Sequence, residues 1–217
     1  MPFKTPGRDS EYIRAHLKPE TDPLLSEMLE YADKNRIPVL LPESKAFLVQ
    51  LVTLLKPAKT LEIGTAVGYS SQLILRNGGE RLFTVEIDEG LASIAKSYFS
   101  RAGLSDRLNV FIGDASEIIP LMEGSFDFIF MDGPKTRYIE YLPHLMRMLK
   151  KGGALLCDNV LWNGMVSGKI ETQKNKTTIV HRLDKFITAI CSDDRLITSI
   201  LPVGDGMSLS IRKNQED

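Results

Sequence analysis

From Lys59 onward, short apolar runs alternate with helical stretches, and this alternation limits the available folds more than any other feature of the chain. The runs are Thr60–Ile63, Leu82–Val85, Leu108–Ile112, Phe126–Met131 and Ala154–Cys157. They are nearly continuous in apolar character, the pattern expected of strands covered on both faces. Between them, helical segments are expected over Ser70–Arg76, Gly90–Arg101, Ala115–Leu121 and Arg137–Leu149. Such repetition predicts a doubly wound α/β fold with a mostly parallel sheet. A further helix over residues 177–191 carries Ile179, Leu183, Phe186, Ile187 and Ile190 on one face. Leu196–Val203 and Met207–Arg212 then read as two strands joined by a tight turn at Gly204-Asp205-Gly206. Residues 9–56 read as helical. Tyr12, Ile13 and Leu17 form one apolar stripe, Leu24, Leu25, Met28, Leu29 and Ala32 a second, and Glu43 opens a helix that stops near Pro57.

The first strand runs into Gly64-Thr-Ala-Val-Gly68 and then a helix. Glycines there let backbone N–H groups approach a ligand closely. The spacing is Gly-x-x-x-Gly, not the Gly-x-Gly-x-x-Gly of a dinucleotide site. Glu62 just before the loop repels a pyrophosphate and suits a cationic ligand. S-adenosylmethionine, with ammonium and sulfonium charges, fits that description. The plain alternative is a strand–turn–helix glycine kept for packing.

Ligands of open α/β sheets sit outside the carboxyl ends of the strands, and this chain has acidic residues at those ends. Glu86 follows Gly64 by 22 residues and can accept both ribose hydroxyls of an adenosyl group. Asp114 ends the third strand and can accept from the adenine amino group. Helix N-capping explains either residue taken singly. Taken together, the three acidic ends favour an adenosyl ligand. Strands four and five end in Asp132 and in Asp158-Asn159. Two carboxylates and an amide oxygen make a hard, all-oxygen site suited to Mg²⁺. An Asp-Asn pair that merely caps a turn is the competing explanation. Lys135 lies three residues past Asp132. Nearby cations should lower its pKa and fit it for general-base work, and a solvated surface lysine is the alternative. Trp162 either flanks a planar substrate or packs, and Asp205 either reaches the site or is simply the turn residue, the turn being the preferred reading.

Formal net charge is −1, so there is no global attraction to nucleic acid. The two cysteines, Cys157 and Cys191, form no C-x-x-C pair, and the three histidines lack metal-ligand spacing. No stretch reaches the roughly 18–20 apolar residues of a membrane span. The first residues lack the apolar core of a signal peptide, and a cytoplasmic setting is expected.

Together these residues resemble the cation-dependent O-methyltransferases, the family of catechol and caffeoyl-CoA O-methyltransferases. The matching pieces are Leu-Glu-Ile-Gly-Thr-Ala-Val-Gly-Tyr-Ser (61–70), Val-Glu-Ile-Asp (85–88), Gly-Asp-Ala (113–115), Met-Asp-Gly-Pro-Lys (131–135), Asp-Asn-Val-Leu-Trp-Asn-Gly (158–164) and Pro-Val-Gly-Asp-Gly (202–206). The Tyr-Ile-x-x-x-Leu-Lys-Pro opening (12–19) and the final segment are similar to the bacterial tRNA 5-hydroxyuridine methyltransferases within that family. The resemblance implies a single methyltransferase domain over 1–217, with a helical segment (1–56) and a cofactor- and metal-binding core (57–217). It implies a seven-stranded sheet with a reversed last strand, and a homodimer. It implies that Asp132, Asp158 and Asn159 hold Mg²⁺ and that Lys135 is the base. Glu62, Gly64, Ser70, Glu86, Asp114, Ala115 and Asp132 would border S-adenosylmethionine. One departure is Gly133-Pro134, where relatives often carry small or aromatic residues, and the proline stiffens the loop before Lys135.

Such a site needs an acceptor with two adjacent oxygens. A catechol-like phenol offers two hydroxyls, and 5-hydroxyuridine offers its hydroxyl and O4. Lys169, Lys174, Lys176, His181, Arg182 and Lys185, with Arg8, Arg14, His16 and Lys18, can hold tRNA phosphates if they flank the pocket. Solvated helix faces explain them equally well. Two other classes remain: a non-catalytic adenosyl-binding module, and a nicotinamide oxidoreductase, against which the missing dinucleotide motif and the Asp132/Asp158/Asn159 set argue.

Overall fold

In the computed structural model, which describes residues 8–214, three helices precede the sheet: α1 (Arg8–His16), α2 (Pro23–Lys34) and α3 (Pro42–Leu55). Asp22 caps α2 by accepting from the Leu24 and Leu25 amides, and proline opens both α2 and α3. The remainder alternates as the apolar runs predict: β1 (Lys59–Ile63), α4 (Tyr69–Arg76), β2 (Arg81–Glu86), α5 (Glu89–Arg101), β3 (Leu108–Ile112), α6 (Ala115–Leu121), β4 (Phe126–Met131), α7 (Tyr138–Met148), β5 (Leu149–Cys157), α8 (Thr177–Ser192), β6 (Leu196–Leu201) and β7 (Met207–Arg212).

The seven strands form one sheet in the order β3-β2-β1-β4-β5-β7-β6. β1 to β5 are parallel, and β7 runs antiparallel to both β5 and β6. Each central strand serves two cores. Leu61, Ile63, Ile129 and Met131 face the layer of α6, α7 and α8, whereas Phe128, Phe130 and Leu156 face α2 to α5. Burying each such side chain contributes roughly 1.5–3 kcal/mol.

Three expectations need correction. β3 is an edge strand, and Phe111 and Ile112 are exposed, so it is not covered on both faces. Its apolar run resembles the interior strands because composition does not report a strand's place in a sheet. The tight hairpin turn is instead a five-residue connection between Leu201 and Met207. It is drawn onto the end of β5 by bonds from Val160 N to the Gly206 carbonyl (2.9 Å) and from Leu161 N to the Asp205 carbonyl (3.1 Å). Finally, Tyr12 is 68% exposed and Ile13 46%, so the α1 stripe is not packed into the core. Instead Arg14 pairs bidentately with Glu43 of α3, both contacts being 2.8 Å.

The parallel ladder continues one bond past the strand ends. Gly64 N reaches the Val85 carbonyl (3.0 Å), Asp132 N the Ile63 carbonyl (2.9 Å) and Asp158 N the Met131 carbonyl (3.0 Å). These bonds set Gly64, Asp132 and Asp158 in a row along one edge of the sheet. Gly64 has a φ of +98°, and a Cβ there would lie 2.7 Å from the Asp132 carbonyl oxygen. Gly64→Ala should therefore destabilise the protein by about 1–3 kcal/mol, read as a lower midpoint in urea unfolding.

Candidate active site

Pairing of Met131 with Cys157 in the β4–β5 register puts the next residues, Asp132 and Asp158, on neighbouring strand ends. Adjacent strands lie about 4.8 Å apart, so the two carboxylates originate side by side. Asp158 is 2% exposed. Burial, and then the charge of Asp132, push its pKa up to about 7, while Lys135 opposes the shift. The Lys135 Nζ donates to Asp132 Oδ1 at 2.5 Å. Lys135 opens a short 3₁₀ turn that is closed by Arg137 N donating to the Pro134 carbonyl (2.8 Å). Gly133 lies against β1, where a Cβ would meet Ile63 Cγ2 at 2.9 Å. Asn159 adopts a left-handed conformation (φ 58°), turning the chain sharply after β5. Its amide donates to Asp158 Oδ1 (2.7 Å).

Among the described residues, no group of three or more His, Cys, Asp or Glu is arranged to hold a metal. This set has two carboxylates plus one amide oxygen. The donors fit a hard divalent cation. All are oxygens, and the buried Asp158 lies beside Asp132, with Lys135 and the Asn159 amide as the groups that favour its ionised form.

The glycine loop is held from below and from the side by two carboxylates. Glu62 is fully buried and accepts from Ser70 Oγ (2.7 Å), Thr84 Oγ1 (2.7 Å) and Ser71 Oγ. Its side chain thus meets the first turn of α4 and the neighbouring strand β2, and not an open cavity. Desolvation outweighs these three donors and pushes its pKa up to about 7. Glu86 accepts from Ala66 N (2.7 Å) and Asp88 N (2.9 Å). It ties the glycine loop to β2 and does not cap α5, a task that falls to Asp88, which accepts from Leu91 N. Asp114 does cap its helix: it accepts from Ser116 N and Ser116 Oγ, both at 2.7 Å, which hold its pKa down. Ala115 follows, 8% exposed, at the start of α6.

One residue at the site was read chiefly as a turn residue, and another was given no role by the sequence. The carboxyl of Asp205, read there as a turn residue, is half-buried and its pKa is raised by burial; its charge acts on Asp158, and Lys135 acts on it. Only the crossing of its loop to β5 brings it there, and no local spacing signals that. The other is Tyr138, fully buried where β4 and β5 end. Cys157 is buried, as its apolar run predicts. Lys169, Lys174, His181 and Lys185 are exposed. Lys176 Nζ lies 5.9 Å from the centroid of the half-buried Trp162 ring. Arg182 is engaged with Glu140 and the Thr136 carbonyl, and Arg14 with Glu43. His16 and Lys18 are exposed, and the Arg8 side chain lies outside the described residues.

The family model for O-methyltransferases matches residues 17–213. The chain belongs to the O-methyltransferase family. A catechol O-methyltransferase from Niastella koreensis is 32% identical over 213 residues, covering 93% of this chain and 95% of that one. Caffeoyl-CoA O-methyltransferase 1 of Eucalyptus globulus is 32% identical over 176 residues, covering 76% and 71%. An O-methyltransferase from Bacillus cereus, solved in complex with SAH, superimposes with a TM-score of 0.81 at 28% identity, covering 94% and 97%. No helix among the described residues of this O-methyltransferase is long and apolar enough to cross a membrane.

Glu62 yields a pH test. Its pKa rises from an ordinary 4.5 to about 7 on folding, so the unfolded chain loses this proton first as pH rises. Wild-type stability should therefore fall relative to Glu62→Gln as pH climbs from 4.5 to about 7. Thermal melting of both proteins across that window checks it. A constant difference would mean that Glu62 ionises alike in both states.

Proposed function

We propose that this O-methyltransferase moves the methyl group of S-adenosylmethionine onto the 5-hydroxyl of a 5-hydroxyuridine in tRNA, with Mg²⁺ held by Asp132, Asp158 and Asn159. The observation that carries the metal-dependent reading is the buried Asp158 set beside Asp132 by the β4–β5 register. A bound cation would supply positive charge that favours ionisation of the acceptor hydroxyl. Lys135, held beside Asp132, takes the acceptor proton as a neutral amine, having first given a proton to solvent, while the oxygen–methyl bond forms and the sulfur–methyl bond breaks. The backbone of the Gly64 loop, with Ser70, Glu86, Asp114, Ala115 and Asp132, borders the methyl donor, and Glu62 supports that loop through Ser70, Ser71 and Thr84. Orientation by this cradle can supply several kcal/mol of the barrier reduction, about 7–11 in favourable cases. A homodimer, on the resemblance alone, and a cytoplasmic setting complete the proposal.

The tRNA reading is supported by Lys169, Lys174 and Lys176, on the connection that leaves the metal-ligand end of β5, and by exposed Lys185. A second reading, a small catechol-like or caffeoyl-CoA-like phenol, draws on the relatives at 32% identity. Salt separates the two. Four phosphate contacts imply about a hundredfold loss between roughly 50 and 200 mM salt. Transfer to tRNA bearing 5-hydroxyuridine should show that loss, and transfer to a catechol should not. Equal sensitivity favours the small phenol.

Asp158→Ala should reduce turnover at least about a hundredfold while leaving S-adenosylhomocysteine affinity within about threefold of wild type, measured by calorimetry. Excess chelator should reproduce the loss in the wild type. Full activity under either condition overturns the metal role.

A further inference from the structure

Tyr138 is the first residue of α7 and is fully buried. Its hydroxyl lies 3.0 Å from the Met131 carbonyl and 3.1 Å from the Asp158 carbonyl. A phenol has one proton to donate, so the two carbonyls share it in a three-centre bond. Met131 immediately precedes Asp132, and the other carbonyl belongs to Asp158 itself. One hydroxyl therefore fastens the backbone of both carboxylate-bearing strand ends. The ring is fixed in turn: Phe186 of α8 meets it edge-on at 5.4 Å and 74°. Its other contact is with Lys135, whose Nζ lies 5.7 Å from the ring centroid. The Met131 carbonyl lies in the peptide unit that joins Asp132, and the Asp158 carbonyl in the one that joins Asn159, so every side chain assigned to proton removal or metal holding is tied to this residue directly or through one peptide unit.

We propose that Tyr138 is a positioning residue that sets the spacing of Asp132 and Asp158 for the divalent cation. The inference rests on the metal-dependent reading above and deepens it. The donor atoms of a small hard cation must be held at fixed distances, and a ligand pair on two strand ends drifts unless those ends are locked together. The ladder bond from Asp158 N to the Met131 carbonyl is one lock. The Tyr138 hydroxyl is a second, added from the helix layer beneath. Tyr141, one turn further along α7, is a built-in contrast. It is also buried, yet its hydroxyl has no hydrogen-bond partner among the described residues.

The test is Tyr138→Phe, which keeps the ring and removes only the hydroxyl. Mn²⁺ binding is followed by the loss of the free-ion signal in electron paramagnetic resonance, and S-adenosylhomocysteine binding by calorimetry. Tyr138→Phe should weaken Mn²⁺ about tenfold and leave S-adenosylhomocysteine within about twofold of wild type. Tyr141→Phe should change neither. Wild-type Mn²⁺ affinity in Tyr138→Phe, or an equal loss for both ligands, overturns the positioning role and leaves the metal reading standing. Absence of Mn²⁺ binding in the wild type removes both. If Tyr138→Phe does not fold, wild-type protein labelled at tyrosine Cζ answers instead. Mg²⁺ should shift the Tyr138 resonance more than that of Tyr141, and an unmoved Tyr138 signal overturns the proposal.

Discussion

The register of β4 against β5 is the constraint on which the rest depends. Because Met131 pairs with Cys157, the residue after each strand emerges at the same height, and both residues are aspartate. Slipping the pair by one residue would turn one carboxylate toward the opposite face of the sheet. The apolar alternation of both strands opposes such a slip, since Ile129, Met131, Leu155 and Cys157 fill one core and Phe128, Phe130, Ala154 and Leu156 the other. The same side chains that stabilise the fold therefore hold the two charges together. Burying Asp158 beside Asp132 is unfavourable for the empty protein and favourable only with a compensating charge. Stability alone gives no reason for that arrangement.

The glycine loop shows a similar division of labour. Gly64 passes so close to the Asp132 backbone that no side chain fits between them. Glu86 takes the Ala66 amide, and Glu62 gathers three hydroxyls under α4. Glu62 accepts from three hydroxyls around the loop, and Glu86 uses one bond from each oxygen on the chain, which leaves it acceptor capacity for a ligand. The loop is thus shaped before any ligand arrives, which reduces the ordering cost of binding.

Much of this was legible in the sequence. The five parallel strands and the helices between them were anticipated from alternating apolar runs, and the last two strands from the turn signal between them. The order of acidic residues at successive strand ends pointed to the candidate site, since parallel strands all finish on one side. What could not be read was set by partners distant in sequence. The exposed face of β3 depends on its place at the sheet edge. The burial of Glu62 depends on hydroxyls 8, 9 and 22 residues away. Asp205 reaches the site because its loop bonds to residues 160 and 161 across the reversed strand. Tyr138 carries a hydroxyl whose two acceptors lie on different strands, and a helical spacing cannot show that.

The reversed β7 has a consequence for how the molecule comes into being. β5 gains its second neighbour only from β7, near the C-terminal end of the described chain. The turn beyond β5, with Asn159 and Trp162, is fixed by bonds from the loop that precedes that strand. While the polypeptide is still emerging from the ribosome, β1 to β5 can pair in order, but the outer side of β5 stays open until β7 is made. Closing the outer side of β5 thus waits for a strand that follows it by a helix and a further strand.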